Sequence, residues 1–328
     1  MTLEEFLAEW NDASPCMEVK TSGSTGVPKH IYIEKERMRA SARMTCNFLG
    51  LRQGDTALLC MPLDYIAGKM MVVRALERGL KLLSVEPSSH PLCSTNMESI
   101  GNPSCIDFAA MVPLQVWNTL QVPEEREAMC RIRHLIIGGG AISQALEQEL
   151  RTLSINVWSS YGMTETLSHI ALRRITEDCY TPLPGITLCR DQDGCLIIDA
   201  PHLCSEALYT NDIVRFIHED HFQVIGRRDN TICSGGIKIQ LEELEAWLHT
   251  IGYDDVMVTY QDDTALGQAL VYLTTTDIDT DTLRQHLPDH TPSAKYWLPK
   301  RVIKVASLPS TPTGKPDRAR ARRLTANG

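Results

Sequence analysis

The sequence lacks the features of a secreted, membrane-spanning or nucleic-acid-binding protein. No apolar stretch of its 328 residues approaches the roughly 18 apolar residues that span a membrane. Residues 1–6 contain early acids and no apolar core, so no signal peptide is expected. The net charge of −9 gives the surface no general attraction for nucleic acid or anionic membranes. The sequence therefore predicts a cytoplasmic protein with neither a membrane span nor a nucleic-acid partner.

Closely spaced cysteine pairs are also missing. The chain has eleven cysteines, an odd number, and no two of them form a C-x-x-C pair. Without a secretion signal we expect reduced thiols, several of them in core strands, and no structural zinc site. Internal repeats and low-complexity tracts are absent, and the balance of hydrophobic and charged residues is that of an ordinary globular protein.

Short apolar runs alternate with helical patterns over the first two-thirds of the chain. The runs predict strands at residues 56–61, 80–85, 106–112, 134–137 and 155–158, and the patterns between them predict helices at 68–79 and 143–153. Such alternation predicts an α/β domain with a mostly parallel sheet and helices on both faces. Thr2 and Glu5 form a capping-box pattern that predicts one more helix at the N-terminus.

The pattern changes twice further along the chain. Beyond residue 181, turn signals at 190–194 and 218–221 separate short strands and predict a small antiparallel, barrel-like part. After residue 228, predicted helices at 241–249 and 281–287 alternate with strands at 256–260, 269–274 and 302–305. The expected organisation is a large N-terminal domain at 1–228 followed by a small α+β C-terminal domain at 229–328.

One short segment combines hydroxyl groups, glycines and a lysine. It consists of Thr21, Ser22, Gly23, Ser24, Thr25, Gly26, Val27, Pro28 and Lys29. Glycines let backbone N–H groups approach a polyphosphate closely, and Lys29 adds a positive charge. The lysine follows a proline, so the segment is not a Walker A loop. By composition alone, a polar surface turn is also compatible with it.

The order of these residues, T-S-G-S-T-G-x-P-K, resembles the phosphate loop of the adenylate-forming superfamily. That superfamily includes acyl-CoA synthetases, luciferases and the adenylation domains of peptide synthetases. Further motifs follow in the superfamily's order: Gly138-Gly139-Gly140, Tyr161-Gly162-Met163-Thr164-Glu165, Thr210-Asn211-Asp212, Gly226-Arg227-Arg228-Asp229, Ser234-Gly235-Gly236 and an end motif that contains Lys315. The chain is therefore identified as a member of this superfamily over nearly its whole length.

The resemblance implies a nucleotide-binding role for the central motifs. The ring of Tyr161 would pack on adenine, beside the glycine turn 138–140. Thr164 would hold the α-phosphate, and Glu165 would hold Mg²⁺, which takes few protein carboxylates and shares its other sites with phosphate oxygens. Asp212 would accept both ribose hydroxyls, and Arg227 would reach the ribose. Asn211 stands where the superfamily has glycine, although asparagine also tolerates positive φ.

The resemblance also implies the roles of the C-terminal motifs. Asp229 would be the hinge about which the C-terminal domain swings. The loop Ser234-Gly235-Gly236 would face the channel of the incoming thiol. Lys315 would be the catalytic lysine, bridging the substrate carboxylate and the α-phosphate. The basic run of Lys315, Arg318, Arg320, Arg322 and Arg323 is compatible with a solvated end or with binding the phosphates of CoA.

The implied activity is that of an AMP-forming acid–CoA ligase with ATP, Mg²⁺ and CoA as co-substrates. Segments 135–142 and 182–185 look most like those of the o-succinylbenzoate–CoA ligases of menaquinone synthesis. Two alternatives stay open. One is an acyl-CoA synthetase for another aromatic or short carboxylic acid. The other is a non-catalytic regulator that binds AMP or acyl-CoA.

The acid pocket is where the sequence departs most from the superfamily. The pocket segment P-L-F-H-x-x-G corresponds to residues 62–68, with Tyr65 in place of the histidine and Gly68 retained. Lys69 or Arg74 would supply a cation for the second carboxylate of o-succinylbenzoate, although a lysine on a helix surface is equally compatible. Ser168 is a further candidate for the pocket.

The stretch before the phosphate loop is short. Only 20 residues precede Thr21, where relatives carry a far longer segment. We therefore expect the N-terminal subdomain beside the acid pocket to be mostly absent. Formation of a homodimer is one way to cover the sheet that this leaves exposed.

Overall fold

The chain forms two compact units in a computed structural model that describes residues 1–20, 30–288, 294–311 and 316–326. Unit 1 comprises Met1–Cys189, Ile197–Tyr209 and Phe216–Gln223. Unit 2 comprises Arg190–Leu196, Thr210–Arg215 and Val224–Gly328. The sequence boundary between residues 228 and 229 stays a prediction.

A seven-stranded sheet is the centre of unit 1. Its strands along the chain are β3 (Thr56–Leu59), β4 (Lys81–Ser84), β5 (Ile106–Met111), β6 (Ile132–Ile137), β7 (Asn156–Gly162), β8 (His169–Arg174) and β9 (Thr181–Pro182). Their spatial order is β4-β3-β5-β6-β7-β8-β9. The first five are mutually parallel, and β8 and β9 continue the sheet antiparallel. The predicted parallel-rich α/β sheet is therefore confirmed.

Helices and one hairpin complete the first part of the chain. The hairpin pairs β1 (Cys16–Lys20) with β2 (His30–Glu34) antiparallel. The helices are α1 (Leu3–Asn11), α2 (Lys35–Phe48), α3 (Ile66–Arg78), α4 (Ser94–Ser99), α5 (Pro113–Gln121), α6 (Pro123–Met129) and α7 (Gln144–Arg151). The predicted capping box of Thr2 and Glu5 begins α1, and Gly79 ends α3 with φ +67°.

Apolar runs on the parallel strands form the core of the sheet. Leu58 of β3, Ile106 of β5, Leu135 of β6 and Val157 of β7 are fully buried and belong to one hydrophobic cluster. Strands with both faces covered lose the alternation of polar and apolar residues, which is why these segments appear as continuous apolar runs in the sequence. The core holds the ends of β6 and β7 in fixed positions beside each other.

The predicted antiparallel part is a four-stranded half-barrel. Its strands, in both chain and spatial order, are β10 (Thr187–Arg190), β11 (Cys195–Asp199), β12 (Leu208–His218) and β13 (His221–Arg227). The two predicted turns connect β10 to β11 and β12 to β13, and Gly194 in the first has φ +84°.

The last hundred residues form a five-stranded sheet with helices. The strands are β14 (Thr231–Ser234), β15 (Ile237–Gln240), β16 (Val256–Asp263), β17 (Gly267–Thr274) and β18 (Arg301–Lys304), and the helices are α8 (Leu241–Thr250), α9 (Thr280–Gln285) and α10 (Arg318–Ala326). Strand β17 pairs with β14, β16 and β18. Its Tyr272 is fully buried and donates a hydrogen bond to the carbonyl of Trp297.

Two expectations about particular segments were wrong. Strand β7 does not end at residue 158, because its pairing with β8 continues through Tyr161 opposite Ala171. The cysteines are all free, yet of the buried ones, Cys46, Cys60, Cys195 and Cys204, only Cys195 lies in a strand. Among the residues described, no helix is long and apolar enough to cross a membrane.

Candidate active site

The glycine turn and the Tyr161 motif lie together at the carboxyl edge of the sheet. Parallel pairing aligns Ile137 of β6 with Ser159 of β7, so both strands end at the same edge. Ser160 Oγ donates to the Ile137 carbonyl at 3.1 Å, and a Cβ on Gly138 would lie 2.5 Å from that hydroxyl. Only glycine leaves room for this contact. Ligands of α/β proteins bind at this kind of edge.

A turn after Tyr161 presents Thr164 and Glu165. Gly162 allows β7 and β8 to approach, because a Cβ there would lie 2.3 Å from the Ser168 carbonyl. The buried hydroxyl of Thr166 lies 2.7 Å from that carbonyl and accepts the Met163 N–H at 3.0 Å. These bonds fix a single 3₁₀ turn on which Thr164 is half-buried and Glu165 is exposed.

Tyr161 belongs to an aromatic cluster that the sequence did not predict. Its ring makes edge contacts with Tyr180 and Phe222, at centroid distances of 5.9 Å and 5.4 Å. Tyr180 and Phe222 stack on each other, and the Tyr180 hydroxyl lies 2.8 Å from Ser159 Oγ. The cluster fixes the direction of the Tyr161 ring, which is the property needed of a base-stacking side chain.

Glu165 is suited to share a cation with phosphate oxygens. Within the described parts of the chain, no group of three or more His, Cys, Asp or Glu side chains could hold a metal by itself. A single exposed carboxylate fits Mg²⁺, which retains water and binds one or two carboxylates together with substrate phosphates. The main-chain oxygen of Glu165 accepts the Cys204 thiol at 3.3 Å, which ties this turn to residues 200–204.

Helix α3 carries the predicted acid-pocket residues. Tyr65 precedes the helix and is about half exposed, at 49%. Gly68 packs against the preceding loop, where a Cβ would lie 2.3 Å from the Pro62 carbonyl. Lys69 is 2% exposed, and its Nζ lies 3.3 Å from Met1 Sδ and 5.5 Å from the centre of the Phe6 ring. The alternative of a lysine on the helix surface is therefore wrong.

Arg74 is a buried cation with a hydroxyl partner instead of a carboxylate. It is 3% exposed, its Nη2 donates to Ser168 Oγ at 2.6 Å, and its guanidinium lies 6.0 Å from the centre of the Phe108 ring. Arg74 Nε is buried without a hydrogen-bond partner, and no carboxylate among the described residues pairs with this side chain. Burial lowers the pKa of Arg74 to about 10.

The sequence analysis did not identify two residues that lie close to Arg74. His169 is buried, with Nδ1 3.3 Å from Ser168 Oγ and Nε2 2.9 Å from Thr45 Oγ1. Burial, assisted by the positive charge of Arg74, lowers the pKa of His169 well below its ordinary value. A histidine directly after the candidate Ser168 was a usable signal. Thr45, 124 positions away, had none.

The ribose and hinge candidates form a separate polar cluster within unit 2. Arg227 bonds Asp212 at 3.2 Å and Asp229 at 3.1 Å, and Asn211 Nδ2 donates to Asp229 at 3.3 Å. Burial acts to lower the pKa of Arg227, but the carboxylates of Asp229 and Asp212 outweigh it and raise the pKa. The cluster brings Asp212, Arg227 and Asp229 together, and their roles toward the ribose and as a hinge stay predictions.

The thiol-channel candidates form the turn between β14 and β15. Ser234 is the last residue of β14 and is buried, and Gly235 and Gly236 have φ of +55° and +82°. Two successive positive φ angles are typical of the tight turns that join antiparallel strands, and glycine adopts them without strain.

Two predicted elements lie outside the described residues. They are the phosphate loop, residues 21–29, and the catalytic lysine, Lys315. Lys20 at the end of β1 pairs with His30 at the start of β2. In the basic run, Arg318 forms an ion pair with Glu245 at 2.6 Å, and Arg322 donates to the Tyr260 hydroxyl at 2.7 Å.

Comparisons with known proteins identify the family of the chain. A sequence model of the AMP-binding enzyme family matches residues 8–202. The 2-succinylbenzoate–CoA ligase of Listeria monocytogenes is 27% identical over 337 residues, which cover 95% of this chain and 70% of that protein.

Solved structures show the same fold. An acyl-CoA synthetase (AMP-forming)/AMP-acid ligase II-like protein from Dyadobacter fermentans is 33% identical, with a TM-score of 0.65 over 98% of this chain and 92% of that chain. O-succinylbenzoate coenzyme A synthetase from Bacillus subtilis, in complex with ATP and magnesium ion, is 22% identical. Its TM-score is 0.73, over 92% of this chain and 68% of that one. The chain belongs to the AMP-binding enzyme family, the adenylate-forming enzymes that its motifs resemble.

Proposed function

We propose that this protein is an ATP-dependent, AMP-forming acid–CoA ligase whose acid carries a second carboxylate, with o-succinylbenzoate as the substrate. Arg74 is the observation that carries the choice of acid. Several of the similar curated proteins, including those of Listeria and Staphylococcus, are named as 2-succinylbenzoate–CoA ligases. The reaction would consume the acid and ATP, form acyl-AMP and pyrophosphate, and then form acyl-CoA and AMP.

A buried guanidinium without a carboxylate is costly to the folded protein. Moving a charged group out of water costs several kcal/mol even after relaxation. Arg74 recovers part of this through Ser168, but its Nε–H makes no hydrogen bond. A carboxylate of the substrate would supply the missing acceptor and a bidentate pairing of opposite charges. Burial of Arg74 therefore lowers the stability of the fold, and a substrate carboxylate would recover this free energy on binding. Such a combination is typical of a ligand-binding side chain.

The sheet edge would bind the nucleotide. The ring of Tyr161, held by its aromatic neighbours, would pack on adenine beside Gly138, Gly139 and Gly140. Thr164 would donate to the α-phosphate from the 3₁₀ turn. In unit 2, Asp212 would accept the ribose hydroxyls, with Arg227 bonded to it.

Mg²⁺ would be held by Glu165 and the phosphate oxygens of ATP, and it would neutralise charge on the leaving pyrophosphate. The chain's own contribution to the first step is position and positive charge. A carboxylate that attacks the α-phosphate brings two anions together, so catalysis must hold them in line and offset their repulsion. We propose that Lys315 offsets the repulsion between these two anions. Lys29 of the phosphate loop would offset the charge of the leaving pyrophosphate.

The second step would transfer the acyl group to the thiol of CoA. We propose that residues 229–328 move about Asp229 for this step and bring the turn of Ser234, Gly235 and Gly236 to the thiol channel. The basic run would contribute less to binding CoA than its charge suggests, because Arg318 is paired with Glu245 and Arg322 with Asp262 and Tyr260. Formation of a homodimer stays a proposal, and light scattering of the purified chain would test it.

ATP–pyrophosphate exchange with matched acids tests the proposal. The pair is o-succinylbenzoate and 4-oxo-4-phenylbutanoate, which differ only in the ring carboxylate. We expect exchange with the first at far lower concentration than with the second. Equal KM values would point to an acyl-CoA synthetase for another acid, and exchange with no member of a wider acid panel would favour a non-catalytic binder.

A variant of the catalytic lysine tests the mechanism. We expect Lys315→Ala to lose adenylate formation by about 10²- to 10³-fold while ATP binding is largely retained, since one transition-state donor is removed. Unchanged pyrophosphate release would contradict the role of Lys315.

A further inference from the structure

A continuous chain of hydrogen bonds runs from Arg74 to the backbone of helix α2. Arg74 Nη2 donates to Ser168 Oγ at 2.6 Å, and Ser168 Oγ lies 3.3 Å from His169 Nδ1. His169 Nε2 lies 2.9 Å from Thr45 Oγ1, whose hydroxyl donates to the Ser41 carbonyl at 3.2 Å. The chain links three elements, α3, β8 and α2, and three of its members, Arg74, His169 and Thr45, are buried.

The two ends of this chain fix its direction. The Ser41 carbonyl can only accept, so it uses the one hydroxyl proton of Thr45. Thr45 Oγ1 is then an acceptor, and His169 Nε2 must carry the imidazole proton. Nδ1 of the neutral ring is left as an acceptor and takes the proton of Ser168. Ser168 Oγ therefore meets Arg74 as an acceptor only.

We propose that His169 is a positioning residue that sets the enzyme's preference for an acid with a second carboxylate. Its tautomer, fixed by Thr45, takes up the hydroxyl proton of Ser168, so that the lone pairs of Ser168 Oγ face Arg74 and orient its guanidinium. This inference rests on the proposed function, in which Arg74 binds that carboxylate.

The orientation matters because a guanidinium presents its donors in a rigid fork. With Nη2 held by Ser168, the side chain keeps its Nε–H unused and buried. A serine that turned its own proton toward Arg74 would repel the guanidinium and allow it to rotate. Bidentate pairing of arginine with carboxylate depends on the direction of the fork as well as its charge.

The surroundings keep His169 in the neutral form that this direction needs. A protonated imidazole would donate from both nitrogens and could not accept from Ser168. Among the residues that the structure describes, the charged group that faces the ring is Arg74 on α3. Cys46 on α2 is next to Arg74, and burial raises the pKa of this thiol, so that it stays neutral. Glu77 and Arg78 follow Arg74 on α3.

The tautomer can be measured on the wild-type protein without any substrate. Long-range ¹H–¹⁵N correlation spectra of the full-length protein labelled at histidine distinguish Nε2–H from Nδ1–H imidazole. His169→Asn assigns the resonance. We expect the Nε2–H tautomer at pH 7. A signal of the Nδ1–H form, or of imidazolium, would overturn the proposal whatever acid the enzyme uses.

Kinetics of matched variants test the effect on selectivity. Thr45→Val removes the hydroxyl at nearly constant volume, and we expect the KM for o-succinylbenzoate to rise about threefold to tenfold, the effect of one lost hydrogen bond. The KM for 4-oxo-4-phenylbutanoate and the kcat for both acids should stay unchanged. Ser41→Ala is the control, because it removes a buried hydroxyl without a partner and keeps the carbonyl that ends the chain.

Arg74→Met separates the two possible failures. If it leaves the KM for o-succinylbenzoate unchanged, the proposed anion site fails. If Arg74→Met raises that KM while Thr45→Val and Ser41→Ala behave alike, the positioning role fails alone. Thermal unfolding of each variant shows whether it is folded, and the wild-type tautomer remains decisive if Thr45→Val is not.

Discussion

Two arginines that are shielded from water, the buried Arg74 in unit 1 and the partly buried Arg318 in unit 2, have opposite surroundings. Arg318 donates to both carboxylate oxygens of Glu245 at 2.6 Å and to the Val258 carbonyl at 2.8 Å. Burial acts to lower its pKa, but Glu245 outweighs burial and the pKa is raised. Arg74 meets a serine hydroxyl and an aromatic ring, and burial lowers its pKa to about 10.

The difference separates a cation that serves the fold from one that serves a ligand. Arg318 connects α10 to α8 and β16, and both of its terminal nitrogens donate to groups of the chain itself. Arg74 keeps a buried Nε–H that makes no hydrogen bond with the described part of the chain. Burial of a charged side chain alone therefore does not indicate its function. The identity of its partner distinguishes a side chain that stabilises the fold from one that binds a ligand. Replacement of Arg318 should therefore lower the stability of the fold, whereas replacement of Arg74 should leave it constant or raise it.

The largest expected change follows removal of the paired arginine. Arg318→Met leaves the partly buried Glu245 without its partner, and we expect the free energy of unfolding to fall by about 1.5–3 kcal/mol, the range for hydrogen bonds to charged groups. Arg322→Met is the control, since its ion pair with Asp262 is exposed and worth at most about 1 kcal/mol. Urea unfolding measures both. Equal losses for the two variants would remove the contrast on which the comparison rests.

Removal of the unpaired arginine should cost binding instead of stability. Arg74→Met replaces a buried charge by an apolar side chain of similar length, so we expect unfolding free energy to stay constant or rise. The KM for o-succinylbenzoate should rise by about 10²-fold, because a buried charge partner of the substrate is lost. Exchange assays and urea unfolding on one preparation give both values. A clear loss of stability would show that Arg74 serves the fold.

The sequence predicted the edge of the sheet but not the burial of the acid-pocket candidates Lys69 and Arg74. Motif order located Gly138, Tyr161 and Glu165, because each lies in or shortly after the end of a strand whose apolar run is visible locally. Their neighbours were not visible. The long pairing of β7 with β8 moved Tyr161 into a strand, and that pairing depends on residues 169–174.

Burial of Arg74 and Lys69 illustrates the limit in physical terms. Both lie on α3, where a polar side chain at this spacing usually faces water. Lys69 is covered by Phe6 of α1, and Arg74 by Phe108 and Ser168, which are 34 and 94 positions away. Contacts between residues so far apart leave no periodic pattern in one sequence. The candidates could therefore be named from charge, but their burial could not.

Titration of His169, which lies beside Arg74, should have a smaller effect on the free energy of unfolding. Its pKa in the folded protein is well below the value of about 6.5 expected in the unfolded chain. The unfolded state therefore binds more protons below pH 6.5, and stability falls as the pH decreases from there. We expect a loss approaching 1.4 kcal/mol per pH unit, which His169→Asn should remove. Urea unfolding between pH 7 and 5 tests it, and equal slopes would contradict it.

The smallest effect distinguishes two carboxylates near Arg318. Glu245 is paired at 2.6 Å, whereas Glu242 lies 4.0 Å away, and burial raises its pKa. Glu242 Oε1 accepts from Asn230, but its buried Oε2 has no partner in the described residues. Since the folded state binds the proton of Glu242 more tightly than the unfolded state, Glu242 lowers the stability of the fold as the pH rises above about 4.5.

We expect Glu242→Gln to raise the free energy of unfolding at pH 7 by under about 1 kcal/mol, and Glu245→Gln to lower it. If both variants destabilise alike, pairing distance does not separate the two carboxylates, and the contrast drawn between Arg74 and Arg318 would lose its basis in geometry.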